Sequence, residues 1–353
     1  MFGVSARLSA SAALVAALGP VTGLVAAAPA AAAEPEVTTL STAYVGPSGL
    51  GVGDGRVLVT DGRFLTQVGR SAPLAVVPKG GALTAVAAGA GTAYAYAGIW
   101  PHRGARLVLV GSRTVAVDLA AYERRANPDR RAHYGVPSPS ACVRKAFKDL
   151  DGGSASYTGR VGSRPGGLAR AGATWYVADS AAGDVLRVDA SGRVSTVAVL
   201  PPHRFTFTKR LVAALGMPSC VVGVRYDAEP VPTDVAVGPD GALWVTTLPG
   251  LYDLGQPGRL YRIDPRTRKV RLVAGGIAGA RNVAVSSSGV VYVVEQLLGR
   301  ISTVTSAGRL RPFVTLPDVT AVEASGSYVY AAVAARIDSG IRRTKGRIVR
   351  IPR

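Results

Sequence analysis

Six stretches of this chain align on one another: 47–61 (PSGLGVGDGRVLVTD), 83–96 (LTAVAAGAGTAYAY), 165–179 (PGGLARAGATWYVAD), 232–247 (PTDVAVGPDGALWVTT), 280–295 (ARNVAVSSSGVVYVVE) and 318–332 (DVTAVEASGSYVYAA). Each reads as a short apolar strand, a Gly-containing turn and a second β-rich strand. Alternation has period two, as in Leu243-Trp244-Val245 and Val291-Tyr292-Val293. The third copy continues through 184–188 and 194–199, turned at Ala190-Ser191-Gly192, and the fifth through 300–305 and 310–316, turned at Ser306-Ala307-Gly308. Such a unit cannot bury its apolar faces alone, so copies must stack on one another. The predicted fold is all-β: a six-bladed β-propeller of four-stranded antiparallel blades. Spacing between the copies is uneven, and the excess falls into insertions at about 120–164 and 200–231. The sixth copy has strands near 319–323, 328–332 and 347–351 and lacks an outer one. Val37-Thr38-Thr39-Leu40 resembles the outer-strand segment Val314-Thr315-Leu316. The N-terminal strand is therefore expected to close the last blade, which removes an exposed edge.

Apolar residues make up 48% of the 353 and charged residues 18%, so a core can form and overall disorder is excluded. Residues 1–33 read as a signal peptide. Arg7 is the only charge before Glu34, an Ala/Leu/Val-rich run follows, and Ala31-Ala32-Ala33 suits signal peptidase. Gly19-Pro20 and Pro29 argue against the alternative, a membrane anchor. No later apolar run is long enough to span a bilayer. The expectation is a Sec-type secreted, extracellular protein, with one propeller domain over 34–353 and no membrane span after cleavage. Two cysteines are too few for a disulfide-dense scaffold or zinc-finger array. Cys142 and Cys220 lie in insertions that follow consecutive units and so emerge side by side on one face. Outside the cell they are expected to pair.

The 165–202 repeat resembles an NHL-type propeller repeat. Together with DLAAYERRANPD (118–129), PTDVAVGPDGALWVTTLPG (232–250) and PGRLYRIDP (257–265), it resembles the ScyD/ScyE family of secreted six-bladed propellers. The resemblance covers most of the chain after residue 33. It implies a fold and a location, and it carries no catalytic residues with it.

Six-bladed propellers include calcium-dependent lactonases and esterases, whose metal needs several oxygen ligands. Just before the inner-strand hydrophobe of each copy stand Gly49, Ala85, Gly167, Asp234, Asn282 and Ala321. Only Asp234 and Asn282 could ligate at this expected channel mouth. No cofactor or metal is therefore expected, and a loose calcium site is the alternative. Asp61, Asp179 and Glu295 end second strands and read as local hydrogen-bond acceptors. His102, His133 and His203 have no metal-ligand spacing, a Gly-x-Ser-x-Gly nucleophile motif is absent, and no nucleic-acid readout motif occurs.

The chain carries 41 basic against 22 acidic residues, net +19. Much of the excess falls in the insertions and in long loops of the same face, with aromatics interleaved. Trp100, Arg103, Arg130, Arg131, Arg144, Lys145, Tyr252, Arg342 and Arg343 are the candidate binding residues there. The expected function is non-enzymatic: a monomeric binding protein for an anionic polymer, a saccharide-like ligand or a protein. The alternative is a calcium-dependent lactonase/esterase-type hydrolase.

Overall fold

The computed structural model describes residues 34–151, 153–250, 256–335, 337–338, 341–342 and 345–353, without side chains at 149–151, 337–338 and 341–342. The expected signal peptide at 1–33, Tyr252 and Arg343 lie outside the described residues, and nothing is described of the Arg342 side chain.

The fold is a β-propeller. Seven four-stranded antiparallel sheets account for nearly all of it, and helices are few. Six sheets carry the sequence repeats and are numbered I to VI in chain order. Their innermost strands are Pro47–Gly53, Ala82–Ala88, Pro165–Ala171, Pro230–Val237, Ala280–Val285 and Val319–Ser325. These adjoin in chain order, and the last returns to the first. In sheets I to V the four strands follow one another outward. Sheet VI instead takes its outer strand from the N-terminus. This strand, β1 (Thr38–Tyr44), pairs with Gly346–Pro352, as the expected closure requires.

Local chemistry explains the strand ends. In sheet III the Asp189 carboxylate accepts the N–H groups of Ser191 and Arg193, and Gly192 supplies the left-handed φ of 87° that completes the turn. Near the axis the strands converge, so small residues are needed. A Cβ on Gly51 would stand 2.9 Å from the Ala88 nitrogen, closer than a carbon can approach. Side chains on the sheet faces interleave into apolar clusters between neighbours. Leu107, Val177 and Leu186 join sheets II and III, and Leu243, Val185 and Ile263 join III and IV.

The seventh sheet is built jointly by the two insertions, in the order Ser156–Thr158, His133–Gly135, Arg225–Ala228, His203–Thr206. Its own core holds Phe147, Phe207, Tyr226 and Val212, with Phe147 and Tyr226 stacked at 5.4 Å. The Cys142–Cys220 disulfide joins the insertions across a sequence separation of 78. Among the described residues no helix is long and apolar enough to cross a membrane.

Candidate active site

At the end where the innermost strands begin, the ring opens into a cavity of about 740 Å³. Its lining includes Ser48, Thr84, Arg164, Thr233, Arg281 and Gln296, contributed by sheets I to V and the segment entering sheet III. Part of this wall is apolar, from residues such as Leu83, Val231 and Leu248.

The hydroxyls at the rim hold the ring together. Thr84 Oγ1 donates to the Pro165 carbonyl of the next sheet at 2.5 Å, Thr233 to Ala280 at 2.8 Å and Thr320 to Pro47 at 2.6 Å. Asp234 and Asn282 stand one residue deeper. Asp234 Oδ2 accepts the Val283 N–H at 3.0 Å, and Asn282 Oδ1 accepts the Val322 N–H at 2.7 Å. Each therefore ties its own strand to the following one. The Asp234 carboxyl also fills the space left by Gly167, where a Cβ would collide with Oδ1. Burial pushes the Asp234 carboxyl up to about 7, against the lowering effect of its two backbone donors and the Arg281 charge. Glu323, two residues past Ala321 on the innermost strand of sheet VI, is half-buried. Burial, and then the charge of Asp234, holds it well above the usual carboxylate range.

As calcium ligands these groups fit poorly. Asp234 and Asn282 have already committed an oxygen each to backbone donors, whereas Ca²⁺ takes six to eight oxygens.

The strand-end acids behave as local acceptors. Asp61 takes the N–H groups of Val45 and Gly46, and Asp179 takes the Ser163 hydroxyl and the Arg164 N–H. Glu295 pairs with Arg300 at 2.7 Å and Ser302 at 2.5 Å. At the corresponding position of sheet IV stands Thr247, paired with His203 of the seventh sheet. His203 Nε2 lies 2.7 Å from Thr247 Oγ1, and burial, followed by the Arg259 charge, lowers the imidazole to about 3, so it stays uncharged.

The candidate binding residues do not gather at this cavity. Arg130 donates to the Ala126 and Asn127 carbonyls, at the end of helix α1 (Leu119–Ala126), and Arg144 donates to Pro139. Trp100 is half-buried beside Tyr96, and Arg103, Arg131 and Lys145 are exposed. Sequence reasoning passed over Arg164, Arg281, Gln296 and Glu323. A signal was present for two of them. Glu323 occupies a column otherwise made of Gly51, Ala87, Ala169, Ala236 and Ala284, and Arg281 a column of Ser48, Thr84, Gly166, Thr233 and Thr320.

No family model and no curated protein matches the chain. Solved structures do. It is similar to a putative glucose dehydrogenase-type oxidoreductase from Thermus thermophilus (16% identity, TM-score 0.54, covering 90% of this chain and 99% of that one). It is similar to a gluconolactonase from Xanthomonas campestris (13%, TM-score 0.53, covering 90% and 89%). It is also similar to a streptogramin B lyase (14%, TM-score 0.50, covering 90% and 96%). At these identities what is shared is the β-propeller fold; the ScyD/ScyE family itself is not among these matches. The expectation of a non-enzymatic protein is corrected. The three propellers named above carry names of enzymes, and too few calcium ligands argue against one metal-dependent class only.

Proposed function

We propose that the chain is a propeller enzyme of the hydrolase type, cleaving a small ester or lactone in the cavity where the innermost strands begin. The observation that carries this is a pair of carboxyl groups on the innermost strands, Asp234 buried and Glu323 half-buried, below a cationic, partly apolar opening. Environments that push two acids to different extents assign them different tasks. Asp234, near 7, takes a proton from water as its oxygen attacks the carbonyl carbon. Glu323, which burial holds well above the usual carboxylate range, gives a proton to the departing alkoxide as the C–O bond breaks. Arg281 and Arg164 face the oxyanion or an anionic substituent. The gluconolactonase neighbour supports lactones as the first compounds to try. The resemblance to ScyD/ScyE repeats, the disulfide and the leader-like residues 1–33 support an extracellular site of action.

The test is a panel of lactones and esters against purified protein, without added metal. Asp234→Asn keeps an acceptor for the Val283 N–H and removes the base, so kcat should fall by about 10²-fold or more with little change in melting temperature. Activity should rise with pH through about 7 as Asp234 ionises. A wild-type protein that hydrolyses none of the panel, or an Asp234→Asn variant with full kcat, would sink the reading.

A further inference from the structure

Away from the axis, four carboxylic side chains converge where the first insertion meets sheet III. Glu123 comes from α1, Asp129 from the turn after it, and Asp179 and Asp184 from the two strands of one hairpin in sheet III. All four are buried, and Asp184 is 0% exposed. Neither oxygen of Asp184 has a hydrogen-bond partner, and Glu123 Oε1 and Asp129 Oδ1 also lack one. The Asp129 carboxyl is wedged against Gly159, where a Cβ would overlap it. The groups facing them from neighbouring elements are the Tyr134 hydroxyl, 3.3 Å from Asp129 Oδ2, the Gly162 N–H and the further acid Glu229. Among the described residues none of the four is in a salt bridge. Among the described residues no group of three or more His, Cys, Asp or Glu is arranged as a metal site. Buried carboxyl groups with no salt-bridge partner take up protons more readily than exposed ones.

We propose that these four carboxyl groups form a proton-operated latch. Protonated, they sit together without charge and leave the first insertion packed on sheet III; charged, they repel one another and loosen it. Asp179 connects the latch to the cavity, because it also holds the Ser163 hydroxyl and the backbone of Arg164 at the rim. That connection rests on the reading of the cavity as the active site; the latch does not.

The sign follows from the carboxyl groups being raised in the folded state, Glu123 to about 7 and Asp129 to about 6, chiefly by burial. The folded protein then holds protons that the unfolded chain has released. Stability is full below about pH 4 and is lost as pH rises toward 7. This opposes the trend expected of a chain with net +19, which gains further positive charge and self-repulsion on acidification.

The experiment is thermal unfolding of the whole protein at pH 5 and pH 8, with EDTA and with added calcium chloride. The expected result is a midpoint lower by about 5 °C or more at pH 8, with at least half recovered by Asp184→Asn, whose amide can donate to the neighbouring carboxylates. If that variant does not fold, Glu123→Gln serves for the same comparison. Equal or greater stability at pH 8 overturns the proposal. So does a rise with calcium at pH 8 that Asp184→Asn abolishes, because the cluster would then hold a cation. Stability is read here and not turnover, so a failure of the hydrolase reading leaves this test intact.

Discussion

A protein lacking residues 34–45 should lose most of its stability, melting more than 10 °C below the full chain or failing to fold. β1 is the outer strand of sheet VI, yet it comes from the opposite end of the sequence. Its removal breaks the ladder that pairs Thr38 with Arg350, Thr39 with Val349, Ser41 with Ile348 and Tyr44 with Gly346. It also strips Val37, Leu40 and Tyr44 from the apolar clusters beside sheets V, VI and I. A few net hydrogen bonds at about 1 kcal/mol each, and side-chain burial at roughly 1.5–3 kcal/mol each, come to a large share of a typical stability of about 5–15 kcal/mol. The exposed edge of Gly346–Pro352 would then invite pairing between molecules. Calorimetry of the truncated chain checks this. Melting at the full-length temperature in one unchanged transition would show that closure contributes little.

The disulfide should have the next largest effect. It closes a loop of 78 residues that contains the whole of sheet III, so it restricts the unfolded chain far beyond the insertions themselves. Loop-closure entropy for that length is worth about 4.5 kcal/mol, an upper figure. Replacing Cys142 and Cys220 together with Ser should lower the denaturant midpoint and leave the folded spectrum intact, because the aromatic cluster around Phe147 and Tyr226 still packs the insertions together. An unchanged midpoint would mean that the unfolded ensemble is already compact there.

The blades were legible because a strand pattern is local. Alternation in Leu243-Trp244-Val245 and the turn at Ala190-Ser191-Gly192 are decided by neighbours in sequence, and repetition reveals the ring. The missing outer strand of the sixth repeat implied the closure, since an unpaired edge is costly. The pairing of Cys142 with Cys220 followed from loops that leave consecutive sheets on one face. The helical parts of the insertions were not foreseen. α1 depends on its Asp118 cap and on Arg130 at its end, and its segment carries no repeat to compare with.

Function was legible only in part, because charge counted along a sequence does not say what the charge touches. Arg130 and Arg144, read as ligand-binding cations, are exposed and each also donates from Nη1 to a helix or loop carbonyl, a contact that the charge count does not show. Asp234 and Asn282 were placed at the axis by the repeat register, but only the neighbouring strands decide that each accepts a backbone N–H from the next sheet. Glu123, Asp129, Asp179 and Asp184 span 62 positions of sequence, and nothing along the chain shows that folding buries them together. Sequence alone determined the repeat, its strand period, the closure and the disulfide, because each rests on local pattern or on the economy of sheet edges. The tertiary structure alone decided which polar groups lost water without gaining a partner, because desolvation depends on every element packed around a group.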